Sequence, residues 1–220
     1  LEKEILVTAS IRSLRELYLR GGDTALVEAM VGFMVDAHSY LFEGVWNGGH
    51  GLREKSNIEV RKLELSEVDA LSAELIAQHR FCGVKFIVNR AVTHEIVRHR
   101  PCSFLQESQR YCRYSQDKFN NQVTFVKPMF YDEGTDEYAL WLKAMEDTEK
   151  IYLKLLDSST PQAARTVLPN SCKTEIIVYC NLAEWKHIFK LRTTPAAEPS
   201  MREIMIPLAA EMKERYPAVF

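Results

Sequence analysis

Apolar residues recur along this chain with two spacings, and the points where the spacing changes divide it into elements. Ile5, Leu6 and Val7 sit in an alternating stretch that predicts a short strand. From Ile11 through Leu14, Leu17 and Tyr18 the spacing becomes three and four, which predicts a helix ended by Gly21-Gly22. Asp23 is placed to cap a second helix whose core stripe is Leu26, Met30, Phe33, Met34, Ala37 and Leu41, with His38 beside it as a structural histidine. Asn47-Gly48-Gly49-His50-Gly51 is glycine-rich but lacks the preceding strand and the Gly-Lys-Ser ending of a phosphate loop, so it reads as a mobile connection. Ser66 and Asp69 approximate a capping box for a helix through Leu71, Leu75 and Ile76 to about His79.

Val84 to Val88 reads as a short buried strand, and Asn89 starts a helix through Ala91, Val92 and Ile96. At about 100° per residue, Arg90, His94 and Arg98 share one side and Val92 and Ile96 the other, so packing of the apolar side would turn the basic set toward a cleft. A solvated basic face gives the same pattern. Val123 to Val126 looks like a strand stopped at Lys127-Pro128. A long amphipathic helix is predicted from about Thr135 to Asp157, with Tyr138, Leu142, Met145, Ile151, Tyr152, Leu155 and Leu156 as a stripe for scaffold or subunit contact. Thr160-Pro161 supplies an N-cap and a first-turn proline for a short helix ending before Pro169. Thr174 to Cys180 is β-rich, and Asn181 can cap a helix from Leu182 to Arg192 with Trp185, His187 and Leu191 turned inward or half-inward. The last helix, Met201 to Tyr216, contains Pro207, which should bend or break it.

Composition narrows the class. Residues 1–220 are 46% apolar and 26% charged, as expected for one soluble globular domain, and no apolar run approaches bilayer length. No secretory leader pattern opens the chain, which places it in the cytoplasm. The five cysteines, Cys82, Cys102, Cys112, Cys172 and Cys180, include no Cys-x-x-Cys pair, which argues against a disulfide framework and a zinc ribbon. Cys102 and Cys112 lie among arginines that could activate a thiol, but a packing role is preferred. His94-Glu95-Ile96-Val97 begins like a zinc-protease motif, yet Arg98 occupies the place of the second histidine and His99 lies roughly 140° around the helix, so no metal is expected.

The most unusual stretch runs from Arg98 to Tyr111. Between Arg90 and Arg113 stand five arginines and two histidines against Glu95 and Glu107, in a chain of net charge -2. Guanidinium forks suit phosphate or carboxylate, and Ser103, Ser108 and Tyr111 add hydroxyl donors, so a phosphorylated small molecule is the natural guest. The negative net charge gives little of the basic footprint of a nucleic-acid binder. Arg98-His99-Arg100, seven further residues, Ser108 and then Gln109-Arg110-Tyr111 resemble the Arg-His-Arg-x7-Ser signature of the flavin-dependent thymidylate synthases. The likeness extends through Arg90-Ala91-x-Thr93-His94-Glu95, Arg165-Thr166-Val167-Leu168-Pro169 and Asn181 to Arg192.

That resemblance implies a single-domain α+β fold of the thymidylate synthase-complementing type, a small mixed or antiparallel sheet on long helices. It also implies methylation of dUMP to dTMP, with methylenetetrahydrofolate as carbon donor, FAD as hydride carrier and NADPH as reductant, in a homotetramer with shared active sites. Carried over by residue, Arg98, His99, Arg100, Gln106, Asn181 and His187 would hold FAD. Glu95, Arg98, Gln106, Glu107, Ser108, Gln109, Arg110, Arg165 and Arg192 would meet the nucleotide. Arg192 would activate the uracil ring, a fixed cation stabilising the charge that develops there. No nucleic acid, membrane or metal partner is implied. The chain departs from the family in two places. The upstream Ser/Thr-x-x-Glu-His flavin element is not found in the divergent stretch 1–80, and Ala183 stands where many members have arginine, so either a flavin contact is lost or Lys186 replaces it. A non-catalytic flavin- and nucleotide-binding paralogue is the alternative these departures motivate.

Overall fold

The computed structural model describes residues 4–20, 24–49, 55–111 and 122–220. Gly21, Gly22, Asp23, His50, Gly51, Cys112 and Arg113 lie outside them, and with them the proposed helix stop, the Asp23 cap and part of the glycine-rich connection. The chain falls into two compact units, Leu1–Leu71 and Ser72–Phe220.

In the first unit, helix α1 spans Ile11–Leu19 behind a Ser10 cap, and α2 spans Ala25–His38 behind Thr24, whose hydroxyl accepts from the Val27 N–H. A 3-10 turn, Ser39–Phe42, continues α2. Leu14, Val27, Val31 and Phe42 form the core, and Arg15 donates to the Leu41 carbonyl. The expected stripe on α2 is corrected: the buried positions are Val27, Glu28, Ala29, Val31 and Gly32, while Ala37 is exposed. An almost wholly apolar helix gives no periodic contrast from which to read its inner face. Residues 25–42 are in fact long and apolar enough to cross a bilayer by length and composition, with a mean hydropathy of 1.2, contrary to the sequence expectation. The strand expected at Ile5 to Val7 is absent; Ile5 and Val7 are largely exposed and have no ladder partner among the described residues. The helix expected from Ser66 to His79 is two helices: α3, Leu65–Asp69, whose Glu67 carboxylate accepts from the Glu64 N–H at 2.8 Å, and α4, Ala73–His79, capped by Ser72.

The second unit opens with α4 and is built on β1 (Phe81–Asn89), α5 (Arg90–Ile96), β2 (Ser103–Gln106), α6 (Asp136–Ser158), α7 (Pro161–Ala164), a 3-10 turn at Arg165–Val167, β3 (Lys173–Asn181), α8 (Leu182–Arg192) and α9 (Pro199–Arg215). The fold is α+β, and every strand pair is antiparallel. β3 is central: Phe81 to Asn89 pair with Asn181 to Lys173 on one side, and Ser103 to Gln106 pair with Tyr179 to Ile176 on the other. Alternation sends Phe86, Val88, Ile176, Val178 and Cys180 inward, onto Val92, Ile96, Trp185, Ile188, Met201 and Met205 of α5, α8 and α9. The expected strand at Val123 to Val126 is reduced to one bridge, Phe125 to Cys172. Pro207 lies within α9, which continues through it. Leu191 is exposed, not inward, because the buried face of α8 is Leu182, Trp185, Ile188 and Phe189.

Two junctions set up the site. β1 and β3 each end on an asparagine that caps the following helix, Asn89 accepting from the Val92 N–H and Asn181 from the Glu184 N–H, each at 2.9 Å. The chain therefore turns from strand to helix without a loop, and α5 and α8 are fixed against the same sheet.

Candidate functional site

The geometry converges on Arg192, the last residue of α8, whose side chain is 22% exposed. Its Nη1 donates to Glu95 Oε2 at 2.7 Å and its Nη2 to the Glu95 carbonyl at 3.4 Å. Its Nε donates to His99 Nε2 at 3.1 Å. Glu95 lies on the last turn of α5 and His99 just beyond it, the helix ending at Ile96 with the His99 N–H donating to the Ile96 carbonyl. Capping of α5 and α8 thus brings Arg192 onto Glu95 and His99, which precede it by 97 and 93 residues. Burial, then the Arg192 cation and His187, hold the His99 pKa below its ordinary value, so the imidazole is kept neutral and able to accept.

His187, one turn before Leu191 on α8, is exposed and meets His99 edge-on at 6.3 Å between ring centres. Glu184, in the first turn of α8, brings its carboxylate within 3.9 Å of His99 Nδ1. Sequence reasoning missed this residue. Ligand atoms of His99, Glu184 and His187 lie within 4.8 Å of one another. The Arg192 guanidinium already places a positive charge against that cluster.

The other candidates divide into two groups. Gln106 donates to Thr93 Oγ1 at 2.9 Å, tying β2 to α5. Glu107 faces Lys173 at 3.4 Å with its carboxylate 14% exposed, and Lys173 also pairs with Glu175 at 2.8 Å. Lys173 and Lys85 hold the Glu175 carboxyl well down, at about 2. Asn181 is engaged at both ends of its amide, by the Glu184 N–H and by the Gln78 carbonyl. Ser108 Oγ accepts the Arg110 N–H at 3.3 Å, and Gln109 is buried. Arg98, Arg100, Arg110 and Arg165 are exposed, and among the described residues none has a carboxylate in ion-pair range. Arg110 lies over the Tyr111 ring at 5.0 Å. Arg90 Nη1 and Gln109 Nε2 are buried donors without a hydrogen-bond partner among the described residues. The second unit thus offers a fixed, half-buried guanidinium at Arg192 and, elsewhere on it, unneutralised surface cations and unfilled donors, groups that suit a phosphorylated anion.

Cys102 is no activated nucleophile: burial raises its pKa, and Cys172 is pushed up to about 12 by the same cause. A groove of about 360 Å³ on α6, lined by Phe125, Tyr138, Trp141 and Met145, includes none of the candidate residues.

Comparison with known proteins gives a family match that falls within this second unit. Residues 73–218 match the family described as thymidylate synthase complementing protein, and the chain belongs to that family. It is 38% identical over 128 residues to a flavin-dependent thymidylate synthase of Pyrococcus furiosus, covering 58% of this chain and 52% of the relative. A flavin-dependent thymidylate synthase of Pyrococcus abyssi is 34% identical over 166 residues, 74% of this chain and 66% of the relative. One from Geobacter sulfurreducens is 31% identical over 172 residues, 77% and 72% respectively. The matched region thus spans about half to two thirds of the length of the two archaeal relatives.

Proposed function

We propose that this protein is a flavin-dependent thymidylate synthase, joining a one-carbon unit from methylenetetrahydrofolate to C5 of dUMP and reducing it to the methyl group of dTMP. The reading rests on family membership and on one observation above the rest, the Arg192 guanidinium held rigid between Glu95 and His99. Attack by C5 requires electron density that builds as negative charge spreads over the uracil ring. A cation fixed in advance stabilises that charge without reorganising during the step. Arg192 is the catalytic residue in this reading, with Glu95 meeting the nucleotide beside it.

Arg110, Arg165, Ser108 and Gln109 would hold the phosphate, and Gln106, Glu107 and Arg98 the remainder of the nucleotide. The exposed guanidiniums and the unfilled Gln109 donor support this assignment. The same donor chemistry fits the anionic FAD. Arg98 and Arg100 would meet its phosphates, while His99, His187, Gln106 and Asn181 would lie along it. Asn181 could offer only what its two structural hydrogen bonds leave over. When bound, the flavin supplies the hydride, and NADPH restores it. Residues 1–220 would act as one domain, with 1–80 its divergent part, in a cytoplasmic homotetramer with shared sites. The free thiols of Cys82, Cys102, Cys172 and Cys180 support a reducing compartment, and the outward candidate residues support completion of the site by a neighbouring chain.

The test is an assay of the purified protein with FAD, dUMP, methylenetetrahydrofolate and NADPH. We expect flavin absorption bands that change on adding dUMP, and NADPH consumption matched by dTMP release. Binding of flavin and dUMP with no dTMP formed would overturn the reading in favour of a non-catalytic paralogue.

A further inference from the structure

Glu184 has no part in the function proposed above, yet it is a carboxylate only 14% exposed. Among the described residues, His99 is the sole cation-forming side chain in ion-pair range of it, with Nδ1 at 3.9 Å. On the opposite edge of the same ring, Nε2 receives the Arg192 Nε–H at 3.1 Å. A guanidinium N–H can only donate, so Nε2 must carry a lone pair, and the neutral ring must then hold its proton on Nδ1. That proton faces Glu184. A carboxylate beside Nδ1–H favours this tautomer over the reverse one, in which Nε2–H would point at the Arg192 donor and break the contact. The groups around the ring are Glu184, His187 and Arg192, with Glu95 on the far side of the guanidinium, and the Glu184 charge reaches the thiols of Cys102 and Cys180.

We propose that Glu184 is a positioning residue for Arg192, acting through His99: it holds the imidazole in the Nδ1–H form so that Nε2 anchors the guanidinium. Three guanidinium donors are then spoken for, one by His99 and two by Glu95, which leaves the remaining N–H groups aimed by the fold. The catalytic part of this inference rests on the synthase reading; the tautomer does not.

The test uses the FAD-loaded protein and two variants, Glu184→Ala and Glu184→Gln. Nitrogen-15 NMR of His99 at neutral pH should show a protonated Nδ1 and an unprotonated Nε2 in the unmodified protein. Glu184→Ala should mix the tautomers and lower kcat on the order of ten- to a hundredfold, by analogy with loss of the carboxylate that orients a metal-ligating histidine, with KM for dUMP changed much less. Glu184→Gln, whose amide oxygen keeps an acceptor dipole facing Nδ1–H, should restore the tautomer and most of kcat. A proton on Nε2 in the unmodified protein overturns the proposal without any variant. So does a Glu184→Ala protein with unchanged His99 signals, or a Glu184→Gln protein as impaired as the alanine variant. An unmodified protein that shows the expected tautomer but makes no dTMP refutes the synthase reading and leaves the positioning role standing.

Discussion

Arg192 owes its setting to shape as much as to charge. Its fork spans Glu95 and His99 at once, which a lysine ammonium on a flexible stem cannot do. Arg192→Lys should therefore keep the local charge and the fold but lower kcat by roughly a hundredfold, as for loss of one preorganised donor at a developing anion. Steady-state dTMP formation beside an unchanged thermal midpoint would check it. His99 adds a pH dependence. Its folded pKa lies below the ordinary histidine value of 6.5, so the unfolded chain takes up the proton first as pH falls. The stability at stake is fully present above pH 6.5 and is lost as pH drops through the lowered folded value. Urea midpoints measured across that window should fall, and His99→Gln should flatten that part of the curve. His99 was legible in the sequence because the Arg-His-Arg signature carries it, and Arg192 because the likeness extends from Asn181 to it. Glu184 was not, since a glutamate three residues after a capping asparagine reads as ordinary helix-start chemistry, and only the fold brings it to His99.

At the scale of elements, the two asparagine junctions carry the geometry. Asn89→Ala removes the Val92 cap and should cost about 1 kcal/mol. Asn181→Ala removes a cap and also the bond to the Gln78 carbonyl, so its loss should be larger; chemical unfolding of both variants would rank them. Both caps, both strands they end, and helix α6 behind Thr135 were readable because capping and periodicity agreed locally. β2 went unread: Ser103 to Gln106 is short and embedded in the basic motif, and it is a strand only because β3 lies beside it. The reverse error occurred at Ile5 to Val7, where alternation was present but no neighbouring strand was. Pairing is a tertiary fact that period alone does not encode.

At the scale of the whole second unit, among the described residues, the sheet has one covered face and one exposed one. The inward residues pack on α5, α8 and α9, while Leu105 is 69% exposed, Ile87 62% and Tyr179 46% on the other side. Ile177 joins this row, directly opposite Leu105 on β2 and Lys85 on β1. In the sequence Val84 to Val88 reads as a short buried strand and Thr174 to Cys180 as β-rich, and neither reading separates the two faces. What covers the second face could not be read from one chain. The proposed homotetramer supplies a candidate, a second copy of the same face. Its charges, Lys85, Lys173, Glu107 and Glu175, include both signs and suit a self-complementary contact. Ile177→Glu puts a carboxylate in the middle of that row, at a position solvated in the single chain and desolvated in a face-to-face pair. The variant should keep its far-UV circular dichroism but elute from light-scattering-coupled chromatography at a lower mass than the unmodified protein. Because the site residues Arg98, Arg100 and His187 are themselves exposed, turnover should fall with the assembly while Arg192 stays in place. An unchanged mass for Ile177→Glu would place any interface elsewhere.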